Sequence, residues 1–195
     1  MVDRDAPGVS VDPVRSFDPT RLMGTVVLRD VTIGGDAVLG EPGDATAEAI
    51  RRAVEEATVA VALETVGTTQ TIFDITLEYA KEREQFGVPI GSFQAIKHKF
   101  TDMLLAIERA RATGYFAALT IAEDDERRTM ATSMAKAAAG DAQRLVGKEG
   151  IQIHGGIGYT WEHDIHLYVR RAKVGGALFG TATDHRAAVA DLLDW

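Results

Sequence analysis

The chain has no cysteine. That excludes disulfides, thiolate metal sites and cysteine nucleophiles together, and it suits a cytoplasmic protein. No apolar run approaches the ~20 residues that a membrane span requires. The first residues, Met-Val-Asp-Arg-Asp-Ala-Pro-Gly, lack the basic segment and apolar run of a secretory signal. Basic residues are outnumbered, 21 Lys and Arg against 29 Asp and Glu, for a net charge of -8. A nucleic-acid binder would show a basic stripe instead. No internal repeat or low-complexity tract is visible. Hydrophobic content of 46% and charged content of 26% are those of an ordinary globular chain.

The first 44 residues read differently from the rest. Pro7, Gly8, Pro13 and Pro19 interrupt the first twenty positions. Thr25-Val26-Val27-Leu28 and Val31-Thr32-Ile33 are short β-branched runs bounded by Arg29-Asp30 and Gly34-Gly35, which read as strands and turns. Two or three strands bury little alone. This segment reads as the tail of a β domain or as an arm needing another surface.

From residue 45 onward the pattern is helical. Ile50, Val54, Ala57, Val61, Leu63, Val66, Ile72, Ile75, Leu77 and Tyr79 recur at three- and four-residue spacing over 45–82. Such a helix is about 55 Å long, a length typical of bundles. Gly67 interrupts it, and close packing against a neighbour is the expected reason. Ser92 is a candidate N-cap for a second helix over 93–122, with Phe100, Met103, Leu104, Ile107, Tyr115 and Leu119 on its apolar face. An alanine-rich third helix over 126–153 is expected at the centre. A fourth covers 162–172 and a last one 183–193. The predicted fold is mainly α, an up-down four-helix bundle over 45–195 behind a β segment over 1–44.

Two stretches could carry chemistry. Gln152 to Lys173 opens with Gly155, Gly156 and Gly158, then Tyr159 and Trp161. Glycines there stop a long helix or let backbone approach a ligand. Arg83 to Met103 holds an arginine at a helix end, an aromatic in a loop, and a helix opening on Phe93-Gln94. A planar phosphate-bearing ligand could use Arg83 as a fork on phosphate, Phe86 against a ring, and the amides of Gln85 and Gln94. A structural loop with Arg83 on helix-terminal carbonyls uses the same residues. The five histidines include no Glu-x-x-His pair, no G-x-S-x-G is present, and no metal is expected. Glu48, Glu55, Glu56 and Glu64 read as a solvated helix face, with Glu64 partly buried.

Arg83–Met103 resembles the R-x-Q-F-G-x-P-I-x-x-F-Q-x-x-x-H-x-x-x-D-M signature of the flavin-dependent acyl-CoA dehydrogenases. Gln152-Ile153-His154-Gly155-Gly156-Ile157-Gly158-Tyr159 resembles their second signature, and Val38-Leu39-Gly40-Glu41 the end of their middle β domain. The resemblance covers essentially the whole chain. It implies a C-terminal helical domain that contributes to FAD sites in a homo- or hetero-oligomer. Arg83, Gln85, Phe86 and Gln94 would touch the flavin nucleotide of a neighbouring subunit. Gln152, Gly155 and Gly156 would hold its diphosphate side, and Thr181 and Thr183 would lie near this subunit's own cofactor.

The resemblance also implies α,β-dehydrogenation of an acyl-CoA, with a carboxylate removing the α-proton and the flavin taking the β-hydride. The usual glutamate lies in a Y-E-G-T-like turn. Here the turn reads Leu178-Phe179-Gly180-Thr181, so Phe179 stands at the base position. The alternative Glu-Arg pair on the first long helix falls on Ala57 and Thr58. Phenylalanine accepts no proton. Three expectations follow. The chain is a base-lacking subunit completing FAD sites beside a full-length companion; or a truncated dehydrogenase using Glu55, Glu56 or Glu64; or a helical assembly module without flavin.

Overall fold

A computed structural model describes residues 1–195. The chain forms two compact units, Met1–Ala53 and Val54–Trp195.

In the first unit, β1 (Val9–Val14) and β2 (Met23–Leu28) form an antiparallel ribbon in which Val9 faces Leu28 and Val14 faces Met23. β1 lies among the prolines, where no strand was expected. Pro13, opposite Gly24, is tolerated because each strand of a two-stranded ribbon is an edge, so its missing N–H breaks no inner ladder. Residues 31–33 form no strand. A β-branched run needs a partner, and the sheet stops at two strands. Leu22, Val26 and Leu28 remain exposed.

Helix α1 (Asp44–Glu82) runs on into the second unit, followed by α2 (Gln94–Ala122), α3 (Arg128–His154), α4 (Ile165–Ala177) and α5 (Ala182–Leu192). Short connections make the long helices antiparallel neighbours, giving the expected bundle. No helix is long and apolar enough to cross a membrane.

Helix α3 is the central element and packs on α2, α4 and α5. Ala131, Ala135, Ala137, Ala138, Ala139 and Ala142 are all buried on it. Small side chains let neighbours approach. A Cβ on Gly150 would lie 2.8 Å from Ile72 Cγ2 of α1, and one on Gly114 of α2 would lie 2.7 Å from Leu63 Cδ2. Gly67 does not share this role: it is exposed, with nothing within 4 Å of a built Cβ. The expected close packing is not there because Gly67 lies on the outer face of α1, whose inward face is partly hydroxyl. Thr58, Thr65, Thr69 and Thr76 are buried and donate to the carbonyls of Val54, Val61, Val66 and Ile72. That bonding lets a polar residue enter the core without an unsatisfied group. Ile50 and Val54 are exposed, as are Leu104, Tyr115 and Leu119 of α2.

Candidate functional site

The first candidate stretch folds as a tight hairpin at the end of α1. Strands β3 (Glu84–Gln85) and β4 (Val88–Pro89) are joined by Phe86 and Gly87, with φ of 56° and 78°. Two consecutive positive φ angles give a turn whose twist matches the strands. Arg83 accepts from Ile90 N at 2.8 Å through its carbonyl, closing the hairpin. Ser92 is not the cap of α2. Its hydroxyl donates to Pro89 O at 2.7 Å, and Phe93 occupies the N-cap without a side-chain bond. Arg83, Gln85, Phe86 and Gln94 all face solvent, Phe86 being 93% exposed.

The second stretch begins where α3 stops. Gly155 has φ of 63°, a turn that glycine takes without a Cβ penalty. No atom lies within 4 Å of a built Cβ on Gly155 or Gly156, so the backbone there is open to a ligand. Residue 154 is held by aromatic packing. The rings of Tyr79 and His154 stack at 4.4 Å, and His163 meets His154 edge-on at 4.6 Å. His154 Nδ1–H donates to Gly150 O at 2.8 Å, leaving Nε2 buried without a partner. Burial holds the imidazole pKa below its ordinary value, the Gly150 bond opposes this, and His163 adds to the lowering. Tyr79 lies one turn before Arg83. The Tyr79–His154 stack therefore ties the base of the hairpin to the glycine stop, 75 positions later.

The third piece is the turn from α4 to α5. Phe179 and Gly180 have φ of 57° and 99°. Five non-glycine residues adopt positive φ; three are aspartates, which tolerate it, and the others are Phe86 and Phe179. Strain at a bulky residue persists only where the surroundings impose it. Around Phe179 they do. Lys136 Nζ donates to Gly176 O at 3.1 Å and Gly180 O at 2.8 Å. His185 Nε2–H donates to Phe179 O at 2.8 Å, so its Nδ1 accepts from Ser133 Oγ at 3.3 Å. Thr181 caps α5 through a reciprocal box with Asp184. The Thr181 backbone and hydroxyl bonds hold the Asp184 carboxyl below its ordinary pKa. Lys136 is 1% exposed, and burial pushes its pKa down to about 8 against the opposing pull of Asp184.

Two of the three alternative carboxylates are engaged by partners. Glu55 is buried, not solvated, and accepts from Arg128 Nε at 2.9 Å and Thr129 Oγ1 at 2.7 Å. Glu64 is half-buried and accepts from Arg171 Nε at 2.6 Å. Glu56 faces solvent. Thr58 is buried and donates to Val54 O.

Two adjoining cavities run along α3, α4 and α5. One, of about 280 Å³, is lined by Thr181 and Thr183; the other, of about 550 Å³, by Gln152 and Tyr159. Gln143, Arg144 and Lys173 line both. Arg83, Gln85, Phe86, Gln94, Gly155 and Gly156 line neither. The sequence reading missed Lys136, Arg144, Lys173 and His185. The one available signal was Lys136 itself, a lone charge between Ala135 and Ala137 on a helix expected to be central.

A family model described as the acyl-CoA dehydrogenase C-terminal domain matches residues 47–193. The chain belongs to the acyl-CoA dehydrogenase family. Members of this family are FAD-dependent flavoproteins. Acyl-CoA dehydrogenase IpdE2 of Mycobacterium tuberculosis is 38% identical over 164 residues, which cover 84% of this chain and 45% of IpdE2. Butyryl-CoA dehydrogenase from Megasphaera elsdenii superposes with a TM-score of 0.91 at 28% identity, over 100% of this chain and 51% of that one. A chain of the ChsE4–ChsE5 complex from Mycobacterium tuberculosis superposes with a TM-score of 0.90 at 26% identity, over 99% and 51%. The chain thus spans half or less of the length of the curated relatives it matches. The matched half of these structures has the helical bundle described above, and one of them is a chain of a heteromeric complex.

Proposed function

We propose that this chain is a base-lacking acyl-CoA dehydrogenase subunit that completes FAD sites in an oligomer, where a companion chain supplies the carboxylate for acyl-CoA α,β-dehydrogenation. The observation that carries this is Phe179. Its side chain has no proton acceptor, and its backbone is held in a left-handed turn by Lys136 and His185. Glu55 and Glu64 are committed to Arg128 and Arg171, which disfavours a substitute base.

The residues present suit the cofactor. Arg83 offers an exposed guanidinium, Phe86 an exposed ring, Gln85 and Gln94 exposed amides, and Gly155 and Gly156 open backbone beside Gln152. These would hold the nucleotide of a neighbouring subunit, and Thr181 and Thr183 would lie near this subunit's own. When bound, FAD supplies the hydride acceptor. Residues 1–44 are, on this reading, the remnant of a middle β domain, and 45–195 the helical domain. Leu105, Tyr115 and Leu119 are 70%, 63% and 53% exposed along α2 and offer apolar area for assembly. The companion is a full-length acyl-CoA dehydrogenase-like chain.

The test is co-expression with such a companion, counting flavin per chain from the visible spectrum. Arg83→Ala and Gln152→Ala should each lower flavin retention of the mixed complex by about tenfold, the loss of one charge-assisted contact. Flavin content independent of both residues would remove this reading and leave a helical assembly module.

A further inference from the structure

The turn between α4 and α5 is gripped through its backbone. Three carbonyls in and just before it accept from side chains outside it. Lys136 Nζ donates to Gly176 O at 3.1 Å and to Gly180 O at 2.8 Å, and His185 Nε2–H donates to Phe179 O at 2.8 Å. Ser133 Oγ steadies the His185 ring from α3 at 3.3 Å. Ser133, Lys136 and Gly140 follow at three- and four-residue spacing, so they share one face of α3, and all three are buried. Gly140 seats the start of α5 on that face, since a Cβ built on it would lie 2.9 Å from Ala182 Cβ. Gly180 lets His185 close on the turn in the same way, a Cβ there lying 3.1 Å from Nε2.

None of these bonds involves the side chain at 179. The Phe179 ring is 47% exposed, makes no aromatic contact and takes no part in the hydrophobic core. A turn that needed only a left-handed backbone would carry glycine or asparagine there, as it does at Gly180. Instead a bulky residue is held at φ of 57°, a strained conformation for it. The group that holds it is a buried ammonium, itself costly to keep away from water. Packing of the ring offsets neither term. What such a grip secures, and glycine could not supply, is a side chain at 179 pointing in one direction.

We propose that Lys136 and His185 are positioning residues that preset the backbone at 179 whatever side chain stands there, so that a carboxylate placed at 179 is presented as a working proton acceptor. The chemistry rests on the reading of 179 as the base position; the backbone grip does not. The step served is removal of a proton from the carbon beside a thioester carbonyl. The C–H bond breaks, the proton passes to a carboxylate oxygen, and the electron pair moves onto the carbonyl oxygen. Return of a proton by the reverse path restores the thioester, so exchange with solvent deuterium needs no oxidant.

The first test uses the full 195-residue chain with no cofactor. Backbone chemical shifts and the HN–Hα coupling of residue 179 report its φ. Phe179→Glu should keep the left-handed signature, and adding Lys136→Met or His185→Phe should remove it. His185 is only half-buried, so its variant serves if the Lys136 variant does not fold. Phe179→Gly should raise the melting temperature by about 2–4 °C in the wild type and not in His185→Phe, because the strain exists only while the grip holds. A left-handed 179 in the grip variants, or the same gain from Phe179→Gly in both backgrounds, overturns the proposal. The second test reads the chemistry in a mixed complex whose companion has lost its own base. Phe179→Glu should exchange the α-hydrogens of an acyl-CoA with solvent deuterium about a hundredfold or more faster than Phe179→Gln. Adding His185→Phe should slow exchange at saturating acyl-CoA and leave the half-saturating concentration unchanged, since it moves the acceptor and not a binding group. Equal exchange by Phe179→Glu and Phe179→Gln overturns the claim that the preset direction is productive. Flavin retention can prove independent of Arg83 and Gln152 while the signature at 179 stands, so failure of the subunit reading and failure of the grip are separable.

Discussion

Lys136 gives the structure a pH signature. Its ammonium is buried in the helical core against the carbonyls of Gly176 and Gly180. Its pKa falls from 10.5 to about 8, chiefly through burial. Because the folded value is the lower one, the unfolded chain binds more protons between about pH 8 and pH 10.5. Stability therefore rises with pH across that window and is level below it. The difference amounts to about 3 kcal/mol in all, about 2 kcal/mol of it between pH 8 and pH 10. Lys136→Met abolishes this titration but leaves two carbonyls without their donor, at about 1–3 kcal/mol. These effects oppose each other at neutral pH, so the informative quantity is the slope. Urea unfolding followed by helical circular dichroism, at several pH values from 7.5 to 10, should show wild type gaining about 2 kcal/mol on the variant. In thermal melts the same gain is about 4–8 °C for a chain of this size. Parallel curves for the two proteins would refute the reasoning, because Lys136 would then titrate alike in the folded and unfolded chains.

Two further predictions follow from the same core. Gly150→Ala drives a methyl into Ile72 and should cost about 1–3 kcal/mol, whereas Gly67→Ala, in open space on a helix, should gain up to ~1 kcal/mol; melting temperatures in the opposite order would sink the packing account. His154 has a lowered pKa, so as pH falls through about 6.5 the unfolded chain takes up the proton first and stability drops. His154→Phe keeps the Tyr79 stack and should flatten that acid limb of the urea-midpoint curve, and a limb unchanged in the variant would assign it elsewhere.

Much of the candidate site was readable because its features are local. Phe86-Gly87 and Gly155 are turns whose backbone angles depend on neighbours in sequence, and a glycine or an exposed aromatic announces them. Lys136 was not readable, since nothing beside it in the chain indicates that Gly176 and Gly180, forty and more positions later, present carbonyls to it. The same holds for Glu55, which looked solvated until α3 brought Arg128 and Thr129 across it. The two cavities along α3, α4 and α5 escaped notice for a related reason: Arg144 and Lys173, which line both, sit on different helices, and their common wall exists only when α3 and α4 lie side by side.

By itself the sequence determined the helices, their approximate ends, the two signatures and the phenylalanine at position 179. Each depends on local periodicity or on a residue's own backbone and side-chain chemistry. Tertiary structure alone decided which glycines are contacts and which carboxylates are engaged. Those properties depend on the rotation and distance of one helix against another. A periodic pattern marks the buried face of a helix but does not name the residue opposite it.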